Sequence, residues 1–348
     1  MLVSTKKIHA NLTSLGQRLG FAVTKEVDDS LLRVRLDEGY RPRIDLMWSL
    51  ALTDTQREAL AIVLDRKLDD VRHLPVVGIE IEGSQPSTKT MGADVANLAA
   101  LGAPLGLLVV SEEGEANIYR RATRAIRTVR RSFGDHRIVP AEASWFEGLS
   151  ERSWPSALSS IQVPLGGTAA GGENLAWSRE TREKVRRLGT AAGFVVAEPY
   201  TPGVLDLTYG LLQGRGEMKH TVDPVHGIRR PISKSSEYLT ECKIDMAWLM
   251  PLPAGLRIFL EELDRFDPSL REHGILFSEQ WGHCAVAAFE LESSSGKHAG
   301  GGLLNLAAHG VVGVVLTRTG DGTSAMRRAL RTYQPTLGVR NVFVKEMP

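Results

Sequence analysis

Apolar residues recur at helical spacing from Thr5 to Leu19, where Ile8, Leu12, Leu15 and Leu19 share one stripe, so the chain opens with an amphipathic helix. Gly20 follows as its C-terminal stop. Short apolar runs predict strands at Phe21–Val27 and Leu31–Leu36. A third strand, past a turn with Gly39 and Pro42, carries Ile44, Asp45 and Trp48. Thr53 and Asp54 cap a helix running to about Val71. In V-V-G-I-E-I-E, a period of two puts Val77, Ile79 and Ile81 on one strand face, and Glu80 and Glu82 on the other. A helix near Ala93–Leu101, a buried-type strand at Leu105–Val110, an arginine-rich helix at Tyr119–Arg131 and a strand near Arg137–Pro140 complete the series.

The series then occurs a second time. L-G-Q-R-L-G-F-A-V at Leu15–Val23 returns as L-G-T-A-A-G-F-V-V at Leu188–Val196, and I-D-L-M-W at Ile44 as I-D-M-A-W at Ile244. I-E-I-E-G-S at Ile79 matches F-E-L-E-S-S at Phe289, and N-L-A-A-L-G at Asn97 matches N-L-A-A-H-G at Asn305. R-A-I-R-T at Arg124 matches R-A-L-R-T at Arg328. The same order throughout marks a tandem duplication of one α/β module. Residues 1–148 form the first copy and 178–348 the second, joined by a Ser/Pro/Gly-rich linker over 149–177. The copies differ chiefly in a basic insertion over 211–238, holding Lys219, Arg229 and Arg230. It reads either as a solvated loop or as a contact to phosphates.

Composition narrows the classes. At 348 residues with 43% hydrophobic and 24% charged residues, the chain has the make-up of a soluble two-domain protein. Its formal charge of +1 supplies no global attraction to a polyanion, so any such contact comes from local patches. No apolar run is long enough for a membrane span, and the N-terminus lacks the apolar core of a signal peptide. Cys242 and Cys284 lack paired spacing, which argues against a disulfide scaffold or a zinc ribbon. The expected setting is the cytoplasm, as a monomer or homodimer.

Candidate chemistry lies in the acids. Two carboxylates on one strand face, roughly 7 Å apart, need a cation or a shared proton when part-buried. A hard divalent ion with oxygen ligands is the usual remedy. Asp45, Glu80 and Glu82 in the first half correspond to Asp245, Glu290 and Glu292 in the second. Asn97 and Asn305 either donate to these acids or bond a neighbouring loop. Arg120, Arg121, Arg124 and Arg127, with Arg328 and Arg331 in the repeat, offer surfaces for phosphates or simply solvated helix faces. S-S-S-G-K-H is not a phosphate-binding loop, because Leu291 stands where its first glycine must be and His298 where Ser or Thr must be.

An aspartate at a strand start, then Glu-x-Glu on a later core strand followed by a helix and a strand, resembles the PD-(D/E)XK nuclease superfamily. The chain departs from it by having Glu82 and Glu292 where that pattern has lysine. The resemblance implies two restriction-endonuclease-like modules, each a mixed central sheet flanked by helices. It implies a Mg²⁺- or Mn²⁺-dependent endonuclease hydrolysing DNA, with two pseudo-symmetric sites and a role in restriction or defence; RNA is the alternative substrate. Asp45, Glu80, Asp245 and Glu290 would hold the metal, with Glu82, Lys89, Glu292 and Lys297 as catalytic groups. The competing expectations are a catalytically inactive nucleic-acid-binding scaffold, or one cutting half paired with one recognition half.

Overall fold

The protein is seen in a computed structural model, which describes residues 5–25, 32, 43–83, 88–111, 117–133, 138–161, 175–204, 220–222, 229–231, 241–267, 282–292, 302–303, 306, 311–318, 320–337 and 341–347. The opening stripe forms helix α1 (Thr5–Arg18), which buries Ile8, Leu12 and Leu15. Its end is a Schellman turn: Gly20 takes φ 93°, the Phe21 N–H donates to the Gly16 carbonyl and the Gly20 N–H to the Gln17 carbonyl. The first module continues through β1 (Ala22–Thr24), β2 (Leu46–Ala51), α2 (Asp54–Leu64), β3 (His73–Glu82) and α3 (Thr88–Leu101). It closes with β4 (Leu105–Val110), α4 (Asn117–Phe133), β5 (Ile138–Glu142) and the short α5 (Trp145–Leu149). Among the described residues the sheet has five strands in the order β1-β2-β3-β4-β5. The β1–β2 and β2–β3 pairs are antiparallel, and β3, β4 and β5 run parallel.

The second module repeats this plan. It comprises α6 (Leu175–Ala191), β6 (Val195–Ala197), β7 (Tyr200–Val204), β8 (His220–Val222), β9 (Arg229–Pro231), β10 (Glu241–Ile244) and β11 (Met246–Pro251). Then follow α7 (Ala254–Phe266), β12 (His283–Glu292), β13 (Val312–Thr317), α8 (Gly320–Leu337) and β14 (Val342–Glu346). Its sheet runs β6-β11-β12-β13-β14, with the same mixture of pairings. Most of the basic insertion, Lys219 included, lies outside the described residues; β8 and β9 form a small hairpin within it. The strand expected at Leu31–Leu36 also lies outside them, apart from Leu32.

One packing unit explains the most obvious repeated words. The indole of Trp48 lies against Gly16 so closely that a Cβ there would meet Trp48 Nε1 at 2.4 Å; Gly189 meets Trp248 in the same way at 2.3 Å. Phe21 stacks on Trp48 with ring centres 5.9 Å apart, and Phe194 on Trp248 at 5.2 Å. The L-G-x-x-x-G-F word is therefore a helix end built to receive a tryptophan from the second strand.

Thr53 caps α2 with a full capping box, but the helix stops at Leu64 rather than near Val71, because Asp65 turns left-handed at φ 54°. This helix and its counterpart α7 join the modules. α7 packs on α5, and its Phe259 meets Trp48 edge-on at 5.5 Å, while Phe266 stacks on Trp145 at 5.4 Å. Reciprocally, α2 packs on α6 and β14, and Arg66 lies 5.3 Å from the centre of the Phe343 ring. One hydrophobic core thus runs through both modules. The segment expected as a linker packs on the second module where it is described: Trp154 is buried, the Ser159 N–H donates to the Leu252 carbonyl, and the Pro155 and Ala157 carbonyls accept N–H groups from the start of α7.

Candidate acidic site

The hydrophobic face of β3 turns toward α1, and its acidic face turns toward α3 and the second, smaller core beneath that helix. Gly78 permits the close approach of α3, since a Cβ there would sit 2.6 Å from Leu101. Pairing of Leu46 with Ile79 brings Asp45, just before β2, beside the C-terminal end of β3. Asp45 Oδ2 accepts the Ile81 N–H at 2.8 Å, and Glu80 Oε2 accepts the Asp45 N–H at 3.3 Å. Asn97 on α3 donates to Glu80 Oε1 at 3.4 Å and to the Arg43 carbonyl at 3.1 Å, so both roles open to it are filled.

Sequence reasoning missed Asp94. It lies on α3 three residues before Asn97, hence on the same helix face. Asp94 hydrogen-bonds Glu82, and its Oδ2 is buried without a hydrogen-bond partner. Four carboxyl groups are therefore electrostatic neighbours in this site: Asp45, Glu80, Glu82 and Asp94. Among the described residues no Lys, Arg or His pairs with any of them. Burial first, then the charges of Asp45 and Asp94, pushes Glu80 up to about 9. Burial, followed by the bond and charge of Asp94, pushes Glu82 up to about 8. Raised this far, the Glu80 and Glu82 carboxyls keep their protons at neutral pH.

The second module keeps the frame and changes the occupants. Asp245 Oδ2 accepts the Leu291 N–H at 2.8 Å, as its counterpart does. Glu290 is raised to about 9 by burial and by Asp245, with Arg182 opposing. Arg182 of α6 pairs with the Asp245 carboxylate, bonds the Asp245 carbonyl at 3.3 Å and reaches Glu198 Oε1 at 3.3 Å. Burial lowers the affinity of this guanidinium for its proton, but Asp245 and Glu198 outweigh it and the net shift is upward. Glu292 ends β12 half-buried; Lys297 and Asn305 lie outside the described residues.

Lys89 is exposed on the first turn of α3, and the structure does not bring it to the acids. Arg120, Arg124 and Arg127 are exposed along α4, Arg121 is half-buried there, and Arg328 and Arg331 are exposed on α8. The backbones of Arg229 and Arg230 lie in β9.

The first-module donor set suits a hard divalent ion: all its ligands are oxygens, and one buried carboxylate oxygen lacks a partner. Among the described residues, no three His, Cys, Asp or Glu side chains are already gathered to hold a metal ion. Binding one therefore requires the acids to draw closer and Glu80 and Glu82 to lose their protons. No helix among the described residues is long and apolar enough to cross a membrane. Comparison of the chain with protein-family models, with curated proteins and with solved structures finds no match in any of the three.

Proposed function

We propose that the chain is a divalent-metal-dependent phosphodiester hydrolase acting on DNA, similar to the PD-(D/E)XK superfamily, with its working site in the first module. The observation that carries this reading is the four-acid cluster without a basic partner, in which Asp94 Oδ2 is buried and unbonded. Such a charge deficit inside a fold is stable only with a proton or a cation in place.

Asp45, Glu80 and Asp94 would hold the ion, which supplies Lewis acidity at the scissile phosphate when bound. Glu82, at the C-terminal end of β3, would in its ionised form take the proton of the attacking water as that water's oxygen bonds to phosphorus; the ester P–O bond breaks and the leaving sugar oxygen is protonated from solvent. Asn97 keeps Glu80 oriented. The latch from Asp45 to Ile81 fixes the strand ends around the site. The exposed arginines of α4, which packs beside α3, attract the polyanion.

A second reading, a nucleic-acid-binding scaffold without catalysis, is favoured by the exposure of Lys89, which leaves the lysine role of the superfamily unfilled. Cleavage of supercoiled plasmid with Mg²⁺ or Mn²⁺ separates the two. The hydrolase reading expects nicking by the wild type, its loss in E80A and its persistence in E290A. DNA binding without cleavage in either metal supports the scaffold.

A further inference from the structure

We infer that Arg182 takes the place of a bound cation in the second module, so that the chain carries one divalent-ion site and not two. The inference rests on the reading of the first-module cluster as an ion site. Two differences between the copies, on separate helices, point the same way. Gly189 and Gly16 occupy one position against their tryptophans, and this alignment sets Arg182 at the place of His9. Leu306 packs on Gly313 as Leu98 packs on Gly106, and this alignment sets Gly302 at the place of Asp94. The second module has thus gained a guanidinium and lost a carboxylate.

Geometry makes the replacement specific. The Arg182 side chain is only 16% exposed and spans Asp245 and Glu198; Glu198 is held in turn by Arg186 at 3.2 Å. Arginine does not vacate such a seat by losing its proton, and a divalent ion would have to break a part-buried pair to reach Asp245. A Cβ on Gly302 would lie 3.6 Å from Glu290 Cγ, an ordinary contact, so the position admits a Cβ and the carboxylate is absent. The second copy keeps the latch of Asp245 on Leu291 and pairs Asp245 with a cation of its own. A chain built this way cuts one strand per encounter.

Titration of the full-length, metal-free chain with Mn²⁺ at pH 8, followed by calorimetry and by the electron paramagnetic resonance signal of free Mn²⁺, counts the sites. The expected stoichiometry is one ion for the wild type, none for D45N and one for D245N. R182H/G302D is expected to bind two. Two ions on the wild type, one of them lost in D245N, overturn the inference, as does a folded R182H/G302D that binds only one. If the wild type binds none and R182H/G302D binds one, the role of Arg182 stands and the first-module reading falls. No ion on either protein overturns both. Should R182H/G302D fail to fold, the wild type and D245N decide alone.

Discussion

Asp45 holds the backbone N–H of Ile81 through Oδ2 at 2.8 Å, tying the start of β2 across to the end of β3. The bond serves the fold and the site at once, and the two uses can be separated. Asparagine keeps an acceptor for the N–H but not the charge; alanine keeps neither. D45N is expected to melt close to the wild type while losing divalent-ion binding. D45A is expected to lose both, with about 1–3 kcal/mol of stability gone for the unsatisfied N–H. Denaturant unfolding checks this: equal stability of D45A and D45N would show that the latch contributes nothing.

Stability should fall as pH rises. Glu80 and Glu82 are held at about 9 and about 8, above the ordinary 4.5, so from about pH 4.5 upward the fold keeps protons that the unfolded chain releases. Glu290, at about 9, adds to the same trend. The metal-free protein should therefore melt at progressively lower temperature between pH 5 and 9, and E80Q should flatten the slope. Mg²⁺ needs ionised ligands, so its stabilising effect should grow across that window. Scanning calorimetry with and without Mg²⁺ reads both; a wild-type midpoint that climbs from pH 5 to 9 would refute the assignment.

The glycines under the two tryptophans should tolerate no side chain. A Cβ at Gly16 or Gly189 would lie 2.4 or 2.3 Å from an indole nitrogen that is buried and without a hydrogen-bond partner. G16A and G189A are each expected to cost about 1–3 kcal/mol by overpacking, against the usual gain for Gly→Ala within a helix. Chemical denaturation measures it, with G92A on α3, where a Cβ meets open space, as the control.

Charge reversal on α4 should act on DNA and not on folding. Arg120, Arg124 and Arg127 are exposed, so R120E/R124E/R127E should leave the melting midpoint nearly unchanged. DNA affinity should drop, and the slope of log K against log salt should flatten by about 0.9 for each phosphate that is no longer neutralised. Fluorescence anisotropy at several salt concentrations reports both, and an unchanged slope would remove α4 from the interface.

The sequence revealed what is periodic or repeated, and it hid what depends on helix phase. The alternation around Glu80 and Glu82 and the glycine stop at Gly20 are local rules, and each appears where the spacing puts it. Asp94 was not legible because α3 is rich in Ala, Gly and Thr, so its hydrophobic pattern does not tell which side meets the acids. Arg182 was hidden for another reason. Its partner Asp245 lies far along the chain, and comparing identical words in the two halves passes over the positions where they differ. The packing of the linker was not legible because Pro and Ser carry no periodic signal, yet its carbonyls complete the start of α7.

α2 and α7 each lend an apolar face to the opposite half, so neither half buries its own core alone. A pair of identical subunits joined in that way would have to bear every substitution twice. Joining both copies on one polypeptide removes that bond between them: His9 and Asp94 can persist on one side while Arg182 and Gly302 arise on the other. The shared interior is what keeps two such halves folding as one body while their acid clusters drift apart.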